Sequence, residues 1–187
     1  MADPVRMLEQ DHRKVEQLFE QYKATQDPAT VQEICTELTV HTTIEEEVVY
    51  PVVARDLAGG KDLDKEARKE HQEVEDAILE IERLGYDDPG VAPFMQTIIE
   101  GVTHHVEEEE SEMFPKLREE VGRNTFSELG DKLATAKERA MQQVGSGEVI
   151  DLTTMTKDQL YEKAQQADIE GRSDMTKEQL VKALQRQ

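Results

Sequence analysis

The sequence predicts an all-α protein: an antiparallel up-down four-helix bundle, followed by a fifth helix and a small C-terminal helix-loop-helix unit. Three observations lead there. Aromatic residues are 4% of the 187 and Trp is absent, whereas 34% are charged, a balance that suits aliphatic helical cores under charged outer faces rather than sheets. Apolar residues recur at helical spacing through five segments. The first four are joined by short connections, so neighbours in sequence run antiparallel.

Helix 1 opens at Asp3-Pro4, a cap and a first-turn proline, and continues through Val5, Leu8, His12, Val15, Phe19 and Tyr22. "TQDPAT" turns the chain. Helix 2 runs through Val31, Ile34, Leu38, His41, Glu45, Val48 and Val52, up to "AGGKD". Helix 3 runs through Ala67, His71, Val74, Ile78 and Ile81 to Gly85, where "GYDDPG" interrupts it. Helix 4 runs through Phe94, Ile98, Val102, His105, Glu109, Met113 and Leu117, and ends near Gly122. A fifth amphipathic stretch, Phe126, Leu129, Leu133, Ala136, Ala140 and Val144, carries no histidine. The expected organisation is a bundle over 1–122, an additional helix over 123–144, a linker over 145–150 and a C-terminal module over 151–187. In that module "MTKDQLYEKA" repeats as "MTKEQLVKAL" 20 residues on, each copy with Thr and Gln at capping-box spacing.

The informative residues stand where the apolar pattern wants Leu or Ile. His12, His41, His71 and His105 each fall near the middle of a helix, and up-down topology brings those middles to one level. "HTTIEEEVVYPVV" returns 64 residues later as "HHVEEEESEMFPKL", which aligns His41 with His105, Glu45 with Glu109, Tyr50 with Phe114 and Pro51 with Pro115. Residues four apart share a helix face, so each histidine and its glutamate point into the bundle together. Two carboxylates buried without a cation would each cost several kcal/mol, on the order of the effective penalty for an unpaired ion, and no Lys or Arg occupies an interior position. A metal is the natural counter-charge. Imidazole with carboxylate and no thiolate suits iron, manganese or zinc, and the motif's repetition implies two ions. Glu16 and Glu75 also stand four after a histidine but flank the core face, where a solvated or supporting role is expected rather than ligation. His104 is turned by about 100° from His105, toward solvent. Tyr50 and Phe114 read as packing anchors before a proline, with the Tyr50 phenol near enough to tune a metal. The run Glu107 to Glu110 reads, apart from Glu109, as a solvated face.

The order lone His, His-x3-Glu, lone His, His-x3-Glu, with an aromatic-Pro pair after each glutamate, resembles the hemerythrin-like family, or HHE cation-binding domain, over residues 5 to about 120. The resemblance implies a non-haem di-iron centre with an oxo or hydroxo bridge. In it His12 and His41 hold one iron, His71 and His105 the other, and Glu45 and Glu109 span both. It also implies binding of dioxygen, nitric oxide or peroxide, with peroxide turnover or a role in oxidative or nitrosative stress. Sensing of oxygen, iron or nitric oxide through the C-terminal tail is the runner-up. Oxygen-carrying members have a histidine where this chain has Glu75, and an aspartate five residues after the last histidine, the place of Glu110. At those two positions the pattern departs from the carriers. An open coordination position on each iron then suits peroxide or nitric oxide chemistry.

The tail repeat resembles the helix, extended loop, helix module at the N-terminus of the transcription terminator Rho, and more distantly SAP modules, so weak nucleic-acid or protein contact through residues 151–187 is expected. Charge divides the chain unevenly: residues 1–148 carry 35 acids against 16 bases, and residues 149–187 carry 7 against 6. The bundle should repel nucleic acid and anionic membranes, while the tail is nearly neutral. One cysteine, Cys35, excludes an intrachain disulfide, and no segment reads as a leader or a membrane span. The expected location is the cytoplasm.

Overall fold

The computed structural model describes residues 2–145, 157–166, 169, 171–172 and 175–184. The expected linker from residue 146 on, and Thr156 of the first capping box, lie outside the described residues. The chain forms two compact units, Met1–Gln142 and Gln143–Gln187. Among the described residues every regular element is helical.

Four rods make the bundle. The first is α1, Pro4–Thr25, whose Asp3 cap accepts a hydrogen bond from the Arg6 amide and whose proline sits in the first turn. Two residues separate it from the second rod, which is α2 (Pro28–Ile44), a π turn (Glu45–Val49) and α3 (Tyr50–Asp56) in unbroken succession. The third is α4, Gly60–Leu84. The fourth is α5 (Ala92–Glu108), a second π turn (Glu109–Met113) and α6 (Phe114–Glu120). Then α7, Arg123–Gly145, buries Leu129, Leu133, Ala136 and Ala140.

The π turns depart from the uninterrupted helices read from sequence, and their cause is Pro51 and Pro115. Proline has no amide hydrogen and its ring strikes the carbonyl four residues back, here Glu47 and Ser111, both inside the π turns. Widening the helix by one residue removes the conflict. The amides of Tyr50 and Phe114 then bond five residues back, to the carbonyls of Glu45 and Glu109.

Apolar layers lie on both sides of the histidine level. Toward one end Val15, Leu18, Phe19, Ile34, Leu38, Ile78 and Ile98 belong to a single core. Toward the other, Val5, Leu8, Ile44, Val49, Val53 and Leu117 are buried. Cys35 is in the first layer, where burial first and the charge of Glu82 next push its thiol up to about 12, which suits an inert core residue. In the C-terminal unit, α8 (Lys157–Gln166) and α9 (Lys177–Leu184) close over Leu160, Ala164, Ile169 and Leu180. The second capping box is formed: the Thr176 amide donates to Gln179 Oε1 at 2.7 Å and the Gln179 amide to Thr176 Oγ1 at 3.3 Å.

The turn into α4 depends on Gly60. A Cβ there would stand 1.9 Å from the Val53 carbonyl oxygen, so α3 and the start of α4 approach as only glycine permits. At Gly101, inside α5, an added Cβ meets only the Val74 side chain at 3.7 Å. The two glycines should therefore respond to alanine with opposite signs. Gly60→Ala is expected to destabilise by about 1–3 kcal/mol through overpacking, and Gly101→Ala to stabilise by roughly 0.5–1 kcal/mol through helix propensity. Denaturant unfolding of the metal-free full-length chain checks both.

Candidate metal centre

The six predicted ligand residues meet at the middle of the bundle, all buried. Each histidine reaches inward with Nε2. The Nε2 atoms of His12 and His41 are 3.2 Å apart and those of His71 and His105 are 3.1 Å apart, so the four imidazoles form two pairs. Each glutamate faces at least one histidine of each pair, and Glu45 also lies 4.0 Å from His105 Nε2. Glu45 Oε2 lies 3.2 Å from His41 Nε2 and 3.4 Å from His71 Nε2. Glu109 Oε2 lies 3.4 Å from His12 Nε2 and 3.6 Å from His105 Nε2. Two donor groups result, His12 with His41, Glu45 and Glu109, and His71 with His105 and Glu45, each with its ligand atoms within 4.8 Å of one another.

The outer face of every imidazole meets a carboxylate. Glu110 Oε1 is 2.8 Å from His12 Nδ1, and Glu70 Oε2 is 2.8 Å from His105 Nδ1. Glu46 Oε1 is 3.2 Å from His71 Nδ1, and Asp11 Oδ2 is 3.7 Å from His41 Nδ1. At His12, His71 and His105 the hydrogen-bonded carboxylate keeps the proton on Nδ1, which leaves the Nε2 lone pair pointing at the centre, whereas His41 Nδ1 is buried without a hydrogen-bond partner and Asp11 faces it as a charge. Three of these acids, Asp11, Glu46 and Glu70, escaped the sequence reading, and Glu110 was placed on a solvated face. The signal was present in the sequence. Each lone histidine has an acid immediately before it (Asp11, Glu70), and each inner glutamate has one immediately after it (Glu46, Glu110).

Tyr50, read from the sequence as a packing anchor whose phenol could tune a metal, lies among the inner donors. Its fully buried hydroxyl lies 3.0 Å from His71 Nε2, 3.4 Å from His105 Nε2, 3.2 Å from Glu109 Oε1 and 3.4 Å from Glu45 Oε2. On an α-helix a residue five positions on is turned away by about 140°. The π turn completes a full revolution in those five residues and returns Tyr50 to the face of Glu45. Its counterpart Phe114 stacks on His12 with ring centroids 5.7 Å apart. Among the remaining candidates, Glu75 is half-buried and belongs to neither buried donor group, Glu16 is exposed, and His104 is exposed beside Glu70 and Glu108.

The donor set fits metal ions. Two nitrogens bound at about 2.1 Å in adjacent octahedral positions stand about 3.0 Å apart, close to the spacing within each pair. Glu45 Oε1 and Glu109 Oε2 are buried without a hydrogen-bond partner, which a nearby cation would remedy. In the metal-free protein, protons fill that part. Burial by itself would pull the His12 imidazole down, but Glu109, Glu45 and Glu110 outweigh it and hold it at about 9. His105 and His71 are raised against the same effect of burial, by Glu109 and Glu45 in the first case and by Glu45 and Glu46 in the second. Burial would raise Glu45, but the imidazoles of His41, His105 and His71 hold it well below the usual carboxylate range.

A four-helix bundle with a buried histidine and carboxylate cluster at mid-height defines a metal-binding helical protein. The chain belongs to the hemerythrin HHE cation-binding domain family, whose model matches residues 3–117, and residues 151–187 match the N-terminal domain of the Rho termination factor. The fold resembles the crystal structure of a hemerythrin HHE cation-binding domain-containing protein from Mycobacterium kansasii, with a TM-score of 0.64 over 98% of this chain and all of that one, at 23% identity. A DNA nickase from Nostoc sp. is 30% identical over 149 residues, which are 78% of this chain and 41% of the nickase, so the chain spans less than half of that relative's length. Among the described residues no helix is long and apolar enough to cross a membrane.

The pH response of the metal-free protein follows from His12. A folded value of about 9, above the ordinary 6.5, means that its proton stabilises the fold fully below pH 6.5 and that this contribution is lost as pH rises through 9. The metal-free protein should therefore melt at progressively lower temperature between pH 6.5 and 9.5, whereas the metal-loaded protein, whose imidazoles bind unprotonated at Nε2, should not follow that decline. Melting curves across that range, with and without chelator, decide it. A flat metal-free profile would contradict the assignment.

Proposed function

We propose that this protein holds two iron ions, one between His12 and His41 and one between His71 and His105, bridged by Glu45 and Glu109, and that it binds and turns over small oxidants, foremost hydrogen peroxide. The observation behind this reading is that each buried glutamate faces one histidine from each pair. Iron held by these six residues would supply two-electron redox chemistry, enough for two peroxides to yield one dioxygen and two waters.

The chain's own residues select and handle the small molecule. Beside the cluster is a small cavity whose apolar wall is Val15, Leu38, Val74, Val102 and Val106 and whose polar wall includes the four histidines. That space suits a molecule the size of water, a diatomic or peroxide. The Tyr50 hydroxyl stands among the inner donors of the second pair and can donate a hydrogen bond there. Burial first, and the charges of Glu109 and Glu45 next, push the phenol well above its ordinary value, so it stays protonated in the metal-free protein. The outer carboxylates hydrogen-bonded to Nδ1 of His12, His71 and His105 favour the tautomer that binds through Nε2.

Elemental analysis of the purified chain should give two irons, falling to about one in His41→Ala or His105→Ala. The loaded wild type should release dioxygen from peroxide. Tyr50→Phe should keep both irons and change the rate of peroxide consumption. A wild type with full iron and no peroxide turnover would move the function to sensing.

A second reading has its own support in the Rho-like module and the nickase relative. In it, the C-terminal module brings the metal-bearing bundle to nucleic acid. Supercoiled plasmid incubated with the iron-loaded full chain should then be nicked, less so with added salt, and not at all after chelation. Plasmid that stays supercoiled under all three conditions excludes this reading.

A further inference from the structure

The two halves of the centre differ in where their outer cation comes from. Around the second pair, Arg68 of α4 donates to Glu46 Oε2 at 2.7 Å while Glu46 Oε1 meets His71 Nδ1. The guanidinium thus fixes the carboxylate that orients the imidazole, from inside the bundle. In the first half the residue at the place of Arg68, three before the lone histidine, is Glu9. The cation arrives from outside the bundle instead. Lys137 of α7 donates to Asp11 Oδ1, and Asp11 Oδ2 is the carboxylate oxygen that faces His41 Nδ1.

Several features hold α7 in this register. Leu133 and Ala136 before Lys137, and Ala140 after it, are buried. Gly130 lies where a Cβ would stand 2.0 Å from the Ala2 carbonyl oxygen, so the α7 backbone packs directly on the segment leading into α1. Arg139 pairs with Glu47 in the first π turn, one residue from Glu46. Asp11 itself is 8% exposed and needs a cation besides the imidazole.

We infer that α7, which lies beyond the residues matched to the HHE family, completes one half of the metal centre: Lys137 is a positioning residue that anchors Asp11 against His41 and sets how firmly the His12 and His41 half keeps its ion. The inference rests on the two-ion reading proposed above. Without Lys137, no other cation among the described residues draws Asp11 Oδ1 toward α7, the carboxylate is free to turn, and the negative charge that faces the buried His41 Nδ1 at 3.7 Å is no longer held in place. The other half has Arg68 and is untouched.

The test follows iron release from full-length protein. Iron-loaded wild type, Lys137→Met, Lys137→Arg, Asp11→Asn and the Asp11→Asn, Lys137→Met double variant are mixed with excess iron chelator, and the iron remaining per chain is measured over time. Lys137→Met should release one of its two ions about ten- to a hundredfold faster than wild type, the usual effect of losing an outer partner, with the second ion unchanged. Lys137→Arg should restore slow release. Asp11→Asn should show the same selective loss, and the double variant no more than that, because both changes break one linkage. Lys132→Met, on the exposed side of α7, should release like wild type. Wild-type release from Lys137→Met, equal acceleration of both ions, or additive losses in the double variant would overturn the inference and leave the two-ion reading standing. If Lys137→Met does not fold, Asp11→Asn and Lys137→Arg decide by the same selectivity. Fewer than two ions in the wild type alone would overturn the two-ion reading, and this inference with it.

Discussion

Two glutamates are buried at the centre of the bundle, and the rest of the architecture answers to them. Glu45 and Glu109 are at most 1% exposed, and among the described residues their charged neighbours are imidazoles rather than Lys or Arg. A carboxylate in such a place must find positive charge, either as protons on the surrounding histidines or as metal ions. The apolar layers above and below keep water from supplying the screening. Burial makes the site costly when empty of cations and selective for them when filled.

Four outer carboxylates surround that inner set, and their arrangement is a repeat folded on itself. The acid before each lone histidine serves the histidine of its own half, Asp11 for His41 and Glu70 for His105. The acid after each inner glutamate crosses over, Glu46 to His71 and Glu110 to His12. His12, His71 and His105 are thereby hydrogen-bonded at Nδ1 while His41 Nδ1 faces Asp11 at 3.7 Å, and the crossing contacts tie the halves together. The symmetry then breaks in two places with chemical consequences. A phenol enters beside one pair where a phenyl ring stacks on a histidine of the other, and the cations that fix Glu46 and Asp11 come from different parts of the chain.

The π turns connect backbone to chemistry. A proline that forbids ordinary helical bonding sits six residues after each inner glutamate, and the helix answers by admitting one extra residue. That residue changes what faces the centre. It brings the side chain five positions after the glutamate back to the glutamate's own face, which is why Tyr50 enters the site rather than the surrounding core.

The sequence by itself determined the helical class, the order of the bundle helices and the six inner residues. Helical periodicity and the His-x3-Glu repeat are local properties, and a polar residue on an apolar face is conspicuous at any position. What needed the tertiary structure was whatever depends on contacts between helices or on a departure from the ideal helix. Glu46, Glu70 and Glu110 look like members of solvated acidic runs until a neighbouring rod sets an imidazole nitrogen about 3 Å away. The closeness of the Tyr50 hydroxyl to His71, His105 and both glutamates depends on the π turn, which an ideal α-helical period does not contain. Lys137 is separated from Asp11 by 126 positions along the chain, and no pattern within one helix links them. Local spacing fixes which face a side chain occupies, and only the packing of one rod on another decides what that face meets.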